Sequence, residues 1–206
     1  MLSIGLTGGI ACGKTTVARM FGELGCKLIN ADLVGHEVIR KPEPAYYEII
    51  EAFGSHVVGK SGEIDRTRLG SLVFSDREKL SLLNAIVHPR ILECSEHYIR
   101  KFKENDPEAI VIVEAALIYE VKGAGRFQKI VAAWCQPRQQ IQRLRKNNGF
   151  SVEEARLRIS SQMPSDEKKK RADYVIDCSR TLEATARQVD QVYQQLYRLT
   201  KTRDSD

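Results

Sequence analysis

The chain has 206 residues and a formal net charge of +5, and 42% of its residues are hydrophobic. This length and hydrophobic content are typical of one globular domain that buries its core without disulfides. The mild positive charge suits an anionic ligand but does not by itself indicate nucleic-acid binding. The five cysteines form no C-x-x-C pair, so we expect neither a zinc site nor a disulfide framework. The sequence has neither a signal peptide nor an apolar run of membrane-spanning length. We therefore expect no membrane segment and a cytoplasmic location.

Short apolar runs alternate with longer amphipathic segments along the chain. In chain order, the pattern first predicts a strand over 2–6, a helix over 14–24 and a strand over 27–29. Four helices follow, over 31–40, 45–53, 66–74 and 76–103, the last interrupted or bent at Pro89. The remainder is predicted as strands over 109–113 and 129–135, helices over 137–146 and 152–162, a strand over 174–176, and a final helix with a stripe of apolar residues from Leu182 to Leu199. The strands are apolar without alternation, as in a parallel sheet buried on both faces. The fold class is therefore α/β, and ligands are expected at the carboxyl ends of the strands.

The strongest motif lies between the first strand and the first helix. The eight residues from Gly8 to Thr15, GGIACGKT, match G-x-x-x-x-G-K-[ST] in full. Glycines let the backbone N–H groups of such a loop face phosphate oxygens, and the following helix adds the positive end of its dipole. We expect Lys14 to reach the β- and γ-phosphates of ATP and the Thr15 hydroxyl to ligate Mg²⁺.

This loop predicts triphosphate binding but does not separate a kinase from an ATPase or a GTPase. A guanine-specifying N-K-x-D tetrapeptide is absent from the sequence, which makes a GTPase less favoured. Within the loop, Cys12 lies near Lys14 and a helix N-terminus, both of which favour a thiolate. The simpler interpretation, a small side chain filling a small space, is preferred, and thiol alkylation is expected to block ATP binding.

Two acidic residues follow predicted strands. Asp32 comes just after the second strand, where it can orient a substrate hydroxyl and accept its proton, or act only as a first-turn acid of the next helix. Glu114 follows the strand over 109–113 and can face Mg²⁺, directly or through water; alternatively it is a strand-end acid in solvent. Position alone does not decide between these roles.

The segment from Arg138 to Arg171 is basic, with ten lysines and arginines against four acidic residues. A basic helical pair there can close over a triphosphate and supply a transition-state arginine, for which Arg143 and Arg145 are the candidates. A solvated charged face is the alternative. The absence of interleaved aromatic residues argues against single-stranded nucleic acid.

With these residues placed, the chain resembles the dephospho-coenzyme A kinase family along nearly its whole length. The resemblance rests on IGLTGGIACGKTTVA from Ile4, on Asn30-Ala31-Asp32, on the stretch from Arg66 to Phe74, on His88-Pro89, on EAALIYE from Glu114, on QIQRL from Gln140, on Arg158-Ile159 and Gln162, and on ADYVID from Ala172. Departures from the family pattern include Ala11 and Cys12 in place of Gly and Ser, Asn30 in place of an acid, and Asn147 in place of a second arginine. Alanine is tolerated at position 11 if its φ is negative.

The resemblance implies a P-loop fold of the nucleoside-monophosphate-kinase type: three α/β/α layers around a five-stranded parallel sheet, in one domain. Its core would comprise residues 1–30, 106–136 and 172–206, with a substrate-binding helical region over 31–105 and a lid over 137–171. The implied reaction is transfer of the γ-phosphate of ATP to the ribose 3′-hydroxyl of dephospho-coenzyme A, the last step of coenzyme A synthesis.

The resemblance also implies roles for individual residues. The triphosphate would lie on Gly8, Gly9, Ala11, Cys12, Gly13, Lys14, Thr15 and Thr16. Asp32 would be the base, Arg143 would contact the transferring phosphoryl, and Thr7, Arg66 and His88 would contact the substrate. For His88, a helix-bend histidine bonded to the backbone is the alternative.

Two other functions stay open at this point. One is a different P-loop small-molecule or nucleotide kinase, and the other is a regulatory NTP-binding protein without phosphotransfer. The oligomeric state is not given by the sequence, and a monomer is favoured.

Overall fold

The centre of the fold is the buried strand β1 (Leu2–Gly8). In the computed structural model, which describes residues 1–74 and 76–202, β1 pairs in parallel with β3 (Ile110–Glu114) on one side and β4 (Lys129–Trp134) on the other. Strand β2 (Lys27–Asn30) pairs with β3, and β5 (Tyr174–Asp177) pairs with β4. Across the described residues these five strands form one parallel sheet in the order β2-β3-β1-β4-β5, which confirms the predicted sheet.

The helices of the described residues surround this sheet or form a separate unit. They are α1 (Lys14–Glu23), α2 (Ala31–Glu37), α3 (Pro44–Phe53), α4 (Arg66–Phe74), α5 (Arg77–Asn105), α6 (Pro137–Asn148), α7 (Val152–Ser160), α8 (Ser165–Arg171) and α9 (Leu182–Thr202). None of the helices in the described ranges is long and apolar enough to cross a membrane.

Alternate residues of β1 face opposite layers, because successive side chains of a strand point to opposite sides of the sheet. Leu2, Ile4 and Leu6 are at most 2% exposed and belong to a core with Phe21 of α1 and Leu196 of α9. On the other face, a Cβ added to Gly5 would lie 2.9 Å from the Ile118 side chain and 2.8 Å from that of Phe127. Burial on both faces explains why the strands lack a polar-apolar alternation.

Several predicted boundaries differ from the observed ones. Helix α2 ends at Glu37 rather than Arg40. Helix α5 continues through Pro89, although proline removes one helical hydrogen bond; Ile86 and Val87, just before it, pack in a hydrophobic cluster that supports the helix there. Helix α8 was not predicted, because its sequence SDEKKKR shows no apolar periodicity.

Contacts divide the chain into two compact units: residues 1–30 with 99–206, and residues 31–98. The first contains the sheet. The second has its own hydrophobic core, in which α3 contributes Tyr46, Ile49 and Phe53 and α4 contributes Leu69 and Val73. The boundary at 98/99 falls inside α5, so this helix contributes residues to both units.

Candidate active site

The phosphate loop joins β1 to α1. Gly8 must be glycine because an added Cβ would meet the Ala133 carbonyl oxygen of β4 at 2.4 Å. Gly13, which precedes the first residue of α1, has a φ of 96°. Residues with a Cβ rarely adopt this backbone conformation. The first N–H groups of α1 have no partner within the helix and can bind an anion. The predicted loop and helix start are therefore in place.

Ala11 departs from the expectation that its φ is negative, because the observed φ is 59°. It lies in a turn that is closed by a hydrogen bond from the Cys12 N–H to the Gly9 carbonyl. The left-handed region costs a residue with a Cβ about 1–2 kcal/mol, so neighbouring groups must hold this turn in place.

Three donors converge on the Glu114 carboxylate at the end of β3. Lys14 Nζ donates to Glu114 Oε1 over 2.9 Å, and the Thr15 hydroxyl donates to the same oxygen over 2.6 Å. Asn30 Nδ2, at the end of β2, donates to Oε2 over 3.0 Å. Glu114 is 3% exposed, so burial of its charge is compensated by the Lys14 ammonium and two hydrogen bonds. This geometry does not match the alternative of a strand-end acid in solvent.

The same cluster explains why an asparagine suits position 30, where the family pattern has an acid. An acid at this position would place a second carboxylate beside Glu114, which repels unless a proton or a cation separates them. The Asn30 amide instead donates a hydrogen bond without adding charge. A cleft of about 480 Å³ beside α1 and β2 is lined by Thr15, Asn30 and Glu114, so a small ligand can reach the cluster.

The cluster fits the expected Mg²⁺. Magnesium prefers hard oxygen ligands and commonly uses one carboxylate or hydroxyl together with substrate phosphates and water. Thr15 and Glu114 supply a hydroxyl and a carboxylate within 2.6 Å of each other. A dedicated cage of three or more His, Cys, Asp or Glu side chains is absent from the described residues, and the triphosphate arrangement does not need one.

Side chains from the predicted lid contact the outer turn of the phosphate loop. Gln140 Nε2 donates to the Ile10 carbonyl over 2.7 Å, and the Ile10 N–H donates to Gln162 Oε1 over 3.1 Å. Arg143 donates from Nη1 to the Ala11 carbonyl over 3.1 Å and from Nη2 to the Cys178 carbonyl over 2.6 Å. The guanidinium group thus links the phosphate loop to the segment after β5.

The Cys12 thiol lies inside the protein beneath the loop. Its side chain is 0% exposed, and the Cys135 thiol donates to its sulfur over 3.6 Å. This hydrogen bond lowers the pKa of Cys12, while burial acts in the opposite direction. An alkylating reagent must open the loop to reach the sulfur, so rapid alkylation is no longer expected, and the space-filling role is the one that the geometry favours.

Thr7 and the segment after β3 form a second polar cluster. Thr7 is fully buried, and its hydroxyl donates to the Ala116 carbonyl over 3.2 Å. The Lys168 ammonium, from α8, donates to the same carbonyl and lies 2.8 Å from Glu120 Oε1. Glu120 also accepts from the Met163 N–H over 2.9 Å. These contacts attach α8 and the residues before it to the end of β3.

The remaining predicted residues belong to the helical unit of residues 31–98. Asp32 is exposed in the first turn of α2, one helical turn before His36. Arg66 Nη1 is 2.7 Å from His36 Nε2. Burial and the Arg66 charge lower the pKa of His36, whereas the Asp32 carboxylate raises it. The net effect lowers the pKa of His36, which lies close to both Arg66 and Asp32.

His88 lies in α5, one residue before Pro89, and is half-buried. Burial lowers the pKa of His88, which favours a neutral imidazole. Of the substrate-side residues predicted from the sequence, Arg66 and Asp32 share one neighbour, His36. His36 was missed, although its i, i+4 spacing from Asp32 was visible in the sequence.

Gln140, Gln162 and Lys168 were not assigned roles from the sequence. The two glutamines stood in the recognised stretches, but an amide carries no sign of what it will contact. Lys168 is 0% exposed, but the sequence does not distinguish it from Lys169 and Lys170, which follow it in the same run. Only tertiary contacts distinguish these side chains.

A parallel sheet with a phosphate loop after its central strand, and with lysine, threonine and a buried glutamate converging beside that loop, defines a P-loop nucleotide-binding protein. A sequence profile of the dephospho-CoA kinase family matches residues 2–184. The chain belongs to the dephospho-CoA kinase family.

Individual relatives agree with this assignment. The chain is 43% identical over 187 residues to the dephospho-CoA kinase of Bacillus cereus, covering 91% of this chain and 93% of the relative. It is 41% identical over 188 residues to that of Carboxydothermus hydrogenoformans, covering 90% of each.

Two solved structures share the fold of this chain. The dephospho-CoA kinase of Campylobacter jejuni superposes with a TM-score of 0.71 at 25% identity, covering 95% of this chain and 97% of the other. The crystal structure of TT1252 from Thermus thermophilus superposes with a TM-score of 0.81 at 31% identity and the same coverage. Both matches extend over nearly the whole chain, so the family resemblance includes both compact units.

Proposed function

We propose that this protein transfers the γ-phosphate of ATP to the ribose 3′-hydroxyl of dephospho-coenzyme A, giving coenzyme A and ADP. The observation that carries the proposal is the convergence of Lys14 and Thr15 on one oxygen of the buried Glu114, beside a complete phosphate loop. The choice of dephospho-coenzyme A as the acceptor rests on the family to which the chain belongs.

The residues of the loop act on the triphosphate. Backbone N–H groups of the loop and of the first turn of α1 surround the phosphates, except those of Ile10 and Cys12, which donate to Gln162 and to the Gly9 carbonyl. The N-terminus of α1 adds its dipole. Lys14 exchanges its bond to Glu114 for the β- and γ-phosphate oxygens. Thr15 and Glu114 would hold Mg²⁺, directly or through water, and the ion when bound would neutralise charge on the phosphates.

Asp32 is proposed as the base that orients the 3′-hydroxyl and accepts its proton. The support is its position two residues after the end of β2, and its exposure, which lets a substrate reach the carboxylate. Arg66 and His88 are proposed to contact the substrate from the helical region over 31–105. Thr7 is a weaker candidate, since its hydroxyl already has an internal partner.

Arg143 is proposed to contact the transferring phosphoryl group from the lid over 137–171. Its guanidinium donates to two carbonyls, those of Ala11 and Cys178. A guanidinium has five N–H donors, so Arg143 can bind phosphate oxygens while it keeps these contacts.

The proposed reaction is tested by measuring ADP release with Mg-ATP and a panel of acceptors. Dephospho-coenzyme A should be phosphorylated with kcat/KM far above that for shikimate or a nucleoside monophosphate. Strong turnover of another acceptor and none of dephospho-coenzyme A would identify a different kinase. Slow ATP hydrolysis without a phosphorylated product would instead favour a regulatory NTP-binding protein.

Replacing Arg143 with alanine should lower kcat by about 10-fold or more, because a charge-assisted contact to the reacting phosphoryl group is lost. Thermal unfolding should shift by only a few degrees, since the lost contacts are two hydrogen bonds of a half-buried side chain. Lys146→Ala, which removes an exposed cation from the same helix, is the control. A normal kcat in Arg143→Ala would move the role to Arg145.

The wider setting is proposed on the same basis. Magnesium is the proposed divalent ion, the cytoplasm the proposed location, and dephospho-coenzyme A the proposed small-molecule partner, with a monomer as the working state. No role with nucleic acid or a membrane is proposed.

A further inference from the structure

Ala11 occupies a backbone conformation that it does not favour by itself. Its φ of 59° lies in the left-handed region, which a residue with a Cβ populates about 5- to 30-fold less than glycine does. The sequence offers no glycine at this position. Other groups must therefore keep the turn in this state, or the loop will spend much of its time in other conformations.

Both peptide groups beside Ala11 are held by side chains. The carbonyl of Ile10 belongs to the peptide group before Ala11, and Gln140 Nε2 donates to it over 2.7 Å. The carbonyl of Ala11 belongs to the peptide group after it, and Arg143 Nη1 donates to it over 3.1 Å. Because these two peptide planes define φ and ψ of Ala11, the two contacts fix its conformation.

The Gln140 amide is well placed to act as a rigid support. The residue is 2% exposed, and its Oε1 accepts from the Ser165 hydroxyl over 3.4 Å. A Cβ added to Gly9 would lie 2.6 Å from Gln140 Nε2, so the amide is packed directly on the loop. Gln162 completes the support by accepting the Ile10 N–H over 3.1 Å.

We propose that Gln140 is a positioning residue for nucleotide binding, whose buried amide holds the Ile10–Ala11 peptide group so that the strained phosphate loop keeps its binding conformation. Gln162 assists from the other side of Ile10. The inference rests on the proposed function only in that the loop binds a nucleotide. It assigns no contact between either glutamine and the phosphates.

A consequence follows for affinity. If only a fraction of the molecules has the competent loop, the apparent Kd is the intrinsic Kd divided by that fraction. Gln140→Met keeps the length of the side chain and removes the donor. It should raise the Kd for ADP by about 5- to 30-fold, the factor by which alanine disfavours the left-handed region.

The test is a double-mutant cycle with Ala11→Gly, because glycine removes the strain that Gln140 is proposed to oppose. The Kd for ADP is measured by calorimetry in four proteins: wild type, Gln140→Met, Ala11→Gly and the double variant. In the Ala11→Gly background, Gln140→Met should raise the Kd by only about 2-fold. An equal increase in both backgrounds would show a merely structural role and overturn the proposal, as would an unchanged Kd in Gln140→Met.

Two further variants make the result decisive. Gln162→Met, which is expected to follow the same background dependence, replaces Gln140→Met if the latter fails to fold. Gln142→Met removes an exposed amide from the same helix and should leave the Kd unchanged. Because ADP binding is measured without an acceptor, the cycle gives the same answer for any kinase substrate, so failure of the proposed reaction and failure of this inference are distinguishable.

Discussion

Replacing Asp32 with asparagine is expected to lower kcat by about 10²- to 10⁴-fold, the usual contribution of a general base. Asparagine keeps the size of the side chain but cannot accept the proton of the attacking hydroxyl. Because Asp32 lies outside the phosphate loop and is exposed, the affinity for ATP should change little. Steady-state kinetics with dephospho-coenzyme A, together with calorimetric titration of ADP, would measure both quantities.

The alternative role of Asp32 makes a different prediction. An acid in the first turn of a helix interacts favourably with the helix dipole and stabilises the helix by about 0.3–1 kcal/mol. If Asp32 does only this, Asp32→Asn will lower the free energy of unfolding slightly and leave kcat within a few-fold of wild type. Asp190→Asn, which changes an exposed acid on α9, is the matched control and should alter neither quantity.

Replacing Glu114 with glutamine should raise the Mg²⁺ concentration needed for half-maximal activity by about 10- to 100-fold. The hydrogen bonds can be kept, since the glutamine oxygen can accept from Lys14 and Thr15 and the Asn30 amide can turn to accept from the new NH₂ group. Because the Lys14 ammonium loses its counter-charge, the free energy of unfolding should fall. The variant therefore removes a negative charge while the cluster keeps its hydrogen bonds. Initial rates over a Mg²⁺ series at fixed ATP would measure the effect.

Two controls make the result for Glu114 interpretable. Glu104→Gln changes an exposed acid of α5 and should not alter the Mg²⁺ dependence. Titration of ADP in the presence of EDTA should show no loss of affinity in Glu114→Gln, because Lys14 no longer has to leave a carboxylate to reach the phosphates. A normal Mg²⁺ dependence in Glu114→Gln would contradict the assignment of this carboxylate to the metal.

The sheet was predictable because each of its strands carries its signal locally. The apolar, β-branched run AIVIV before Glu114 is typical of a strand buried on both faces, and the observed β3 is buried throughout. The phosphate loop was predictable for a related reason, since its glycines and lysine form a continuous motif whose chemistry does not depend on distant residues. Local patterns of this kind can be read without knowledge of distant contacts.

Other features were out of reach of local patterns. Helix α8 has a uniformly polar sequence, yet it buries Lys168 against Glu120 and the Ala116 carbonyl. The sign of φ at Ala11 was predicted wrongly because alanine normally avoids the left-handed region; Gln140 and Arg143, more than 120 residues away in sequence, hold it there. Contacts between such distant residues depend on the whole fold.

The sequence by itself determined that this chain has a phosphate loop on a parallel sheet and that it resembles the dephospho-CoA kinase family, because both rest on short local patterns that can be recognised without knowledge of tertiary contacts. Only the tertiary structure decided that Glu114 joins Lys14, Thr15 and Asn30 in one buried cluster, and that Cys12 is inaccessible. The physical reason is that burial and hydrogen-bond partners are properties of packed elements. A sequence names the donors and acceptors, but the fold selects which of them meet.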